Sequence, residues 1–142
     1  MTKRTRSTAV IEYNNKILSF EAYDPTSGRK YYFLPGGGIE AGESPAQSAV
    51  RETLEETGYK IRIDEKSELI KKYQFHWDGT DYDVVTYFYR GYLDEAFHEP
   101  GTIIDVPYNK GAVWLPVEEI DSIFSYTNEI RDAVNQLLQF SA

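Results

Sequence analysis

The sequence predicts an α/β domain in which a β-sheet is covered on both faces by helices. Three observations predict it. Strand-like and helix-like segments alternate along the chain. The strand-like segments are apolar at consecutive positions, as in Val84-Val85 and Phe88-Tyr89, which suits burial on both faces. The 142 residues, 41% hydrophobic, suffice for one core and leave little room for a second, so residues 1–142 are read as a single domain.

Thr5 to Ile11 and Lys16 to Tyr23 read as strands joined at Asn14-Asn15, a turn-forming pair, and so as a hairpin. A loop follows at Asp24. Lys30 to Leu34 is a short aromatic strand that ends at Pro35, whose missing N–H breaks a ladder. After Gly36, Gly37 and Gly38, helix punctuation is dense. Ser44 can cap, Pro45 suits the first helical position, Gln47 completes a capping box, and Gly58 stands where a left-handed terminator belongs. A helix is therefore expected over Ser44 to Thr57. Residues 60–63 and Glu68 to Trp77 are β-rich, Asp78-Gly79 signals a turn, and Tyr82 to Leu93 is a second long strand. Asp94 to Lys110 reads as a loop, Gly111 to Leu115 as a strand and Val117 to Phe124 as a short helix. The last helix carries Ile130, Ala133, Val134, Leu137 and Leu138 on one stripe.

Acids outnumber Lys plus Arg by 23 to 15, a formal charge of −8, which disfavours duplex nucleic acid as a partner because counterion replacement needs a basic stripe. A compact polyanion remains compatible if cations bridge it to the protein. The chain has no cysteine, which removes disulfides, thiolate metal sites and a cysteine nucleophile and suits a cytoplasmic setting. The apolar run after the basic residues Met1 to Arg6 is Ala9-Val10-Ile11, too short for an export signal or a membrane span. A cytoplasmic protein without a membrane association is the expectation.

Within the helix at Ser44, Glu52, Glu55 and Glu56 stand at i, i+3 and i+4 and rise as neighbours. Ala46, Ala49, Val50, Thr53, Leu54 and Thr57 are expected mostly on the opposite, sheet-facing side. Like charges at this spacing cost about 0.2–0.5 kcal/mol per pair, and the helix dipole also disfavours anions in this C-terminal half. A solvated acidic face is the ordinary reading of such a helix. Two features point elsewhere: Arg51 can hold Glu43 or Glu52 by a bidentate contact, and the glycine turn lets backbone carbonyls approach whatever the carboxylates bind. Clustered hard oxygen donors suit Mg²⁺ or Mn²⁺, which in turn suit phosphate oxygens.

Gly37, five residues, Glu43, seven residues, then Arg51-Glu52-Thr53-Leu54-Glu55-Glu56-Thr57-Gly58-Tyr59 resemble the signature of the Nudix (MutT-like) hydrolases. Every glycine, glutamate and arginine of that pattern is present. Thr53 and Tyr59 depart from it at packing positions where the family prefers aliphatic residues. The flanking FLPGGGIE and the spacing of Trp114 and Glu118 are also similar to the family.

The resemblance implies an α/β/α sandwich with a mixed sheet. It also implies a magnesium- or manganese-dependent pyrophosphatase that hydrolyses a nucleoside diphosphate linked to a further group. By position it makes Glu52, Glu55 and Glu56 metal-binding carboxylates, the carbonyl of Gly36 or Gly37 a further ligand, and Arg51 with Glu43 the orienting pair. The general base is then Glu52 or an acid of a later loop, Glu95 or Glu99, with Glu52 the working choice. A homodimer is compatible with the family.

Outside the signature, Tyr73, Phe75 and Trp77 alternate onto one strand face and are candidates to stack a nucleobase. Arg4, Arg6, Lys71 and Lys72 are candidates for phosphate or ribose, and Tyr31 and Tyr32 for lining the cleft, while His76 and His98 have no ligand spacing. The proline that the family's ADP-ribose group carries soon after the signature is absent between Tyr59 and Glu99. A small nucleotide, with a nucleoside triphosphate as default, is the expected substrate. Two alternatives remain open: a non-catalytic nucleotide-sensing module on the same fold, and an RNA 5′-end pyrophosphohydrolase using Lys3 to Arg6 as a local basic edge.

Overall fold

The computed structural model describes residues 1–94 and 109–140. Its strands are β1 (Thr2–Tyr13), β2 (Lys16–Tyr23), β3 (Lys30–Phe33), β4 (Gly36–Gly38), β5 (Ile61–Trp77), β6 (Thr80–Leu93) and β7 (Asn109–Pro116). Its helices are α1 (Pro45–Thr57), α2 (Ile120–Ile123) and α3 (Asn128–Leu138), with a 3₁₀ turn over Val117–Glu119 leading into α2. The hydrogen-bonded order is β3-β2-β1-β6-β5, with β4 added to β1 and β7 to β2. β1 runs parallel to β6 from Thr2 to Ile11, and the other pairings are antiparallel, so the sheet is mixed.

Strand alternation explains the two cores. Ala9, Ile11, Leu18 and Tyr89 turn to one face, where Ala46 and Ala49 of α1 cover them. Val10, Ile17 and Phe88, their immediate neighbours in sequence, turn to the other face and meet Ile120, Phe124, Ala133, Val134 and Leu137. Ile130 and Leu138 pack against the edge of this second cluster, so the expected stripe of α3 is the one that is covered. Helices thus lie on both faces of a mixed sheet, the sandwich that the sequence predicts. Among the described residues no helix is long and apolar enough to cross a membrane.

Three expectations change in detail. The β1–β2 hairpin turns at Asn14 and Asn15, with φ of 52° and 59°, but pairs just Glu12 with Ile17 and Tyr13 with Lys16. Further back, β4 takes that edge of β1 at Arg6, Ser7 and Thr8. The two segments expected over residues 60–63 and Glu68 to Trp77 form one strand, β5, interrupted by an irregularity between Asp64 and Leu69. On α1 the buried stripe is Ala46, Ala49, Thr53, Glu56 and Thr57, whereas Leu54 is 45% exposed. At 100° per residue the stripe centred on Thr53 takes in position 56 and leaves position 54 in solvent.

Candidate active site

The carboxylates are placed by a well-terminated helix and an adjoining glycine strand. Ser44 and Gln47 form the expected reciprocal capping box on α1, Pro45 opens the helix, and Gly58 closes it at φ 78°. Glu56, only 4% exposed, accepts the Gly36 N–H at 2.7 Å, which ties the last turn of α1 to β4. Gly36 itself lies so close to Ser7 and Thr8 of β1 that a Cβ there would collide with backbone and side chain. Opposite Glu52 the space is just as tight: a Cβ on Gly37 would fall within 2.6–2.7 Å of the Glu52 carboxylate atoms. Glycine at both positions lets a backbone strand lie directly against the acidic helix face.

Arg51 organises that face. Its Nε and Nη2 donate to the two oxygens of Glu43 at 2.7 and 3.0 Å, a bidentate pair. Its Nη1 donates to Glu52 at 3.0 Å and to Glu55 at 3.2 Å, and Nη2 also reaches the Gly38 carbonyl at 3.1 Å. Of the two partners predicted for Arg51, both are engaged. The guanidinium holds the Glu43 carboxyl down at about 2, below the usual carboxylate range. Burial pushes Glu52 the other way, above its ordinary value, against the pull of Arg51.

A cavity of about 250 Å³ opens in front of these groups. Glu52, Glu55, Glu56 and the Gly36–Gly38 backbone form one wall. Arg4 and Arg6, successive residues on one face of β1, form a second, and Phe33, Phe75 and Trp77 a third. Arg6 is steadied by donating from Nη2 to the Gly36 carbonyl at 3.0 Å, and the Arg4 guanidinium lies 5.2 Å from the Tyr82 ring centre.

Phe75, Trp77, Arg4 and Arg6 therefore meet the carboxylates in one space. Tyr73 does not: it lines a small neighbouring cavity of about 30 Å³ and shares a 2.8 Å hydroxyl bond with Thr86. Tyr32 is a correction, because alternation along β3 turns Tyr31 and Phe33 toward the β5 aromatics and Tyr32 away. Its ring instead faces Lys30 at 5.0 Å. Phe33, which the sequence reading passed over, takes the place assigned to Tyr32. Alternation along Lys30–Phe33 puts Phe33 on the face of Tyr31 and opposite Tyr32, but which of the two faces meets β5 is set by tertiary packing. Lys71 and Lys72 do not line the cavity, and His76 pairs with Asp81 on the surface. Glu95, Glu99 and His98 lie outside the described residues.

The donor set suits a hard cation. The carboxylates of Glu52, Glu55 and Glu56 and the glycine backbone line the space beside α1, and such oxygen donors favour magnesium or manganese over softer metals. The missing Cβ of Gly37 leaves room where the Glu52 carboxylate meets the backbone. Among the described residues, however, no three acidic or histidine side chains converge as a ready-made metal cluster. Arg51 and the Gly36 N–H hold the carboxylates instead, and the Gly36 carbonyl, one of the two carbonyls expected to be a ligand, is taken by Arg6.

A family model described as NUDIX domain matches residues 3–137. A protein of Bacillus subtilis (strain 168) named "Putative 8-oxo-dGTP diphosphatase" is 45% identical over 42 residues, which take in 30% of this chain and 28% of that protein's length. Among solved structures, a NUDIX hydrolase from Nitrosomonas europaea superposes with a TM-score of 0.71 at 25% identity, covering 95% of this chain and 88% of the other. A C. elegans Ap4A hydrolase shares the fold, with a TM-score of 0.67 at 16% identity over 97% of this chain and 96% of its own.

Proposed function

Because the chain belongs to the NUDIX family, we propose that it is a hydrolase cleaving, with a divalent cation, the diphosphate linkage of a small nucleotide. The observation that carries this reading is a single cavity with three unlike walls: carboxylates with glycine backbone, a pair of arginines, and a run of aromatic rings. Each wall answers one part of such a molecule. The rings present faces to a base, the arginines present charge to phosphate oxygens, and the acids await cations. The names of the relatives, which mention 8-oxo-dGTP and Ap4A, are in keeping with a nucleotide that carries a phosphoanhydride.

In the mechanism we propose, Glu52, Glu55 and Glu56 would hold Mg²⁺ or Mn²⁺. Bound there, the cation would neutralise the diphosphate and make the attacking water more acidic. The remaining work falls to the chain. Arg51 keeps the Glu52 and Glu55 carboxylates oriented, and Glu43 fixes Arg51 from its far side. We assign to Glu52 the further role of taking the proton of the water that attacks phosphorus. Arg6 offsets charge on the phosphates, and Phe75 with Trp77 and Phe33 holds the base so that the scissile linkage stays beside α1.

The test is a panel of nucleoside triphosphates, dinucleoside polyphosphates and ADP-ribose with MgCl₂ or MnCl₂, scored for phosphate and pyrophosphate release. Turnover that disappears with chelator and in Glu52→Gln is expected. Tight binding of one compound with no turnover of any would instead favour a sensing module.

A further inference from the structure

The β2–β3 loop and the tip of the β5–β6 hairpin are more than fifty residues apart and meet at one place. Asp24, 3% exposed, accepts from the Thr26 N–H at 2.9 Å and the Ser27 N–H at 3.3 Å, closing its own loop as an Asx turn. The same oxygen accepts the Asp78 N–H at 3.3 Å, and Thr26 Oγ1 donates to Asp78 Oδ1 at 2.6 Å. Asp78 and Gly79, with φ of 50° and 75°, form the two-residue left-handed turn that joins β5 to β6. A buried carboxylate and a threonine hydroxyl thus clasp two surface loops together.

The strands next to those loops give the clasp its meaning. The β2–β3 loop leads into Tyr31 and Phe33, and the hairpin tip comes directly after Phe75 and Trp77. β3 and β5 stand at opposite ends of the strand order and share no ladder among the described residues. Their rings nevertheless meet, Phe33 with Trp77 at 5.2 Å and with Phe75 at 5.9 Å, and Tyr31 with Phe75 at 5.6 Å. Ring contacts fix no register by themselves. The clasp supplies directional bonds between the loops that adjoin these strands, where the strands themselves share no ladder.

We infer that Asp24 and Thr26, through Asp78, are positioning residues that set the separation of the two halves of the aromatic wall and so the grip of the cavity on a flat base. This rests on the nucleotide reading above. It assigns the clasp to recognition of the base and not to the phosphate chemistry, which lies across the cavity on α1.

Calorimetry with ADP and with inorganic pyrophosphate, each with MgCl₂, separates the two. Thr26→Val, an exposed change, and Asp24→Ala are expected to weaken ADP binding roughly 5- to 20-fold, part of the loss that an unstacked base incurs. Pyrophosphate binding should stay within about 2-fold, and Asp24→Asn, which keeps an acceptor oxygen, should recover part of the loss. With a turned-over nucleotide, KM should rise by a similar factor at unchanged kcat. Unchanged ADP binding in Thr26→Val and Asp24→Ala, or a parallel loss of ADP and pyrophosphate, would overturn the inference. Binding of pyrophosphate without ADP by the unaltered chain would overturn it too while leaving the hydrolase reading in place. Binding of neither would remove the reading beneath both.

Discussion

Gly37 and Glu52 show how closely single residues are fitted. A methyl group on Gly37 would overlap the Glu52 carboxylate, so Gly37→Ala is expected to displace that acid and lower kcat/KM at least about 10-fold. Steady-state kinetics with circular dichroism to verify folding would check this. Glu52→Gln should cost at least about 100-fold in kcat, the scale of a lost proton acceptor. The same change should raise Tm in metal-free solution at neutral pH. Burial disfavours the charged form of Glu52 in the folded chain, so its ionisation weakens the fold as pH rises, and the amide escapes that cost. Glu43 has the opposite sign. Arg51 depresses its pKa to about 2, so its contribution is full above the ordinary carboxylate value and fades as pH falls toward 2. Urea unfolding should therefore show Glu43→Gln less stable than the parent at pH 7, with the gap narrowing below about pH 4.5. Glu52 and Arg51 were legible because a helix converts spacing into proximity, whereas Glu43 stands just before the α1 cap. Glu56 was only half legible: its position on the helix was clear, but its bond to Gly36 depends on where β4 falls.

At the scale of elements, the boundaries of α1 could be read almost to the residue because Ser44, Pro45, Gln47 and Gly58 act locally. Strand partners could not. Nothing near Thr2–Ile11 announces a parallel ladder with β6, a pairing that crosses most of the chain. Nor does the tripeptide Gly36–Gly38 look like a strand until β1 offers it an edge. The aromatic candidates divide for the same reason. Alternation placed Phe75 and Trp77 together on β5, but which face of β3 meets them is a tertiary fact, and it favoured Phe33 over Tyr32. β5 therefore carries a prediction of its own. Phe75→Ala should raise KM for a nucleotide about 10-fold through lost stacking while changing kcat little, whereas Tyr32→Ala should leave both near the parent values.

The whole molecule brings opposite charges and a hydrophobic surface to one cavity although its formal charge is −8. β1 is the reason. Its parallel pairing with β6 and its antiparallel pairing with β4 set Arg4 and Arg6 beside the glycine strand, and β4 in turn presses on α1. An acidic site facing an anionic linkage needs cations between them, so cation affinity and nucleotide affinity should rise together. Calorimetric titration of Mn²⁺ into the chain, with and without a non-hydrolysable nucleotide analogue, tests this most directly. The expected result is uptake that nucleotide strengthens and that Glu56→Gln weakens at least about 10-fold, as when one carboxylate ligand is lost. Uptake that is absent in both conditions, or unaltered by that substitution, would contradict it.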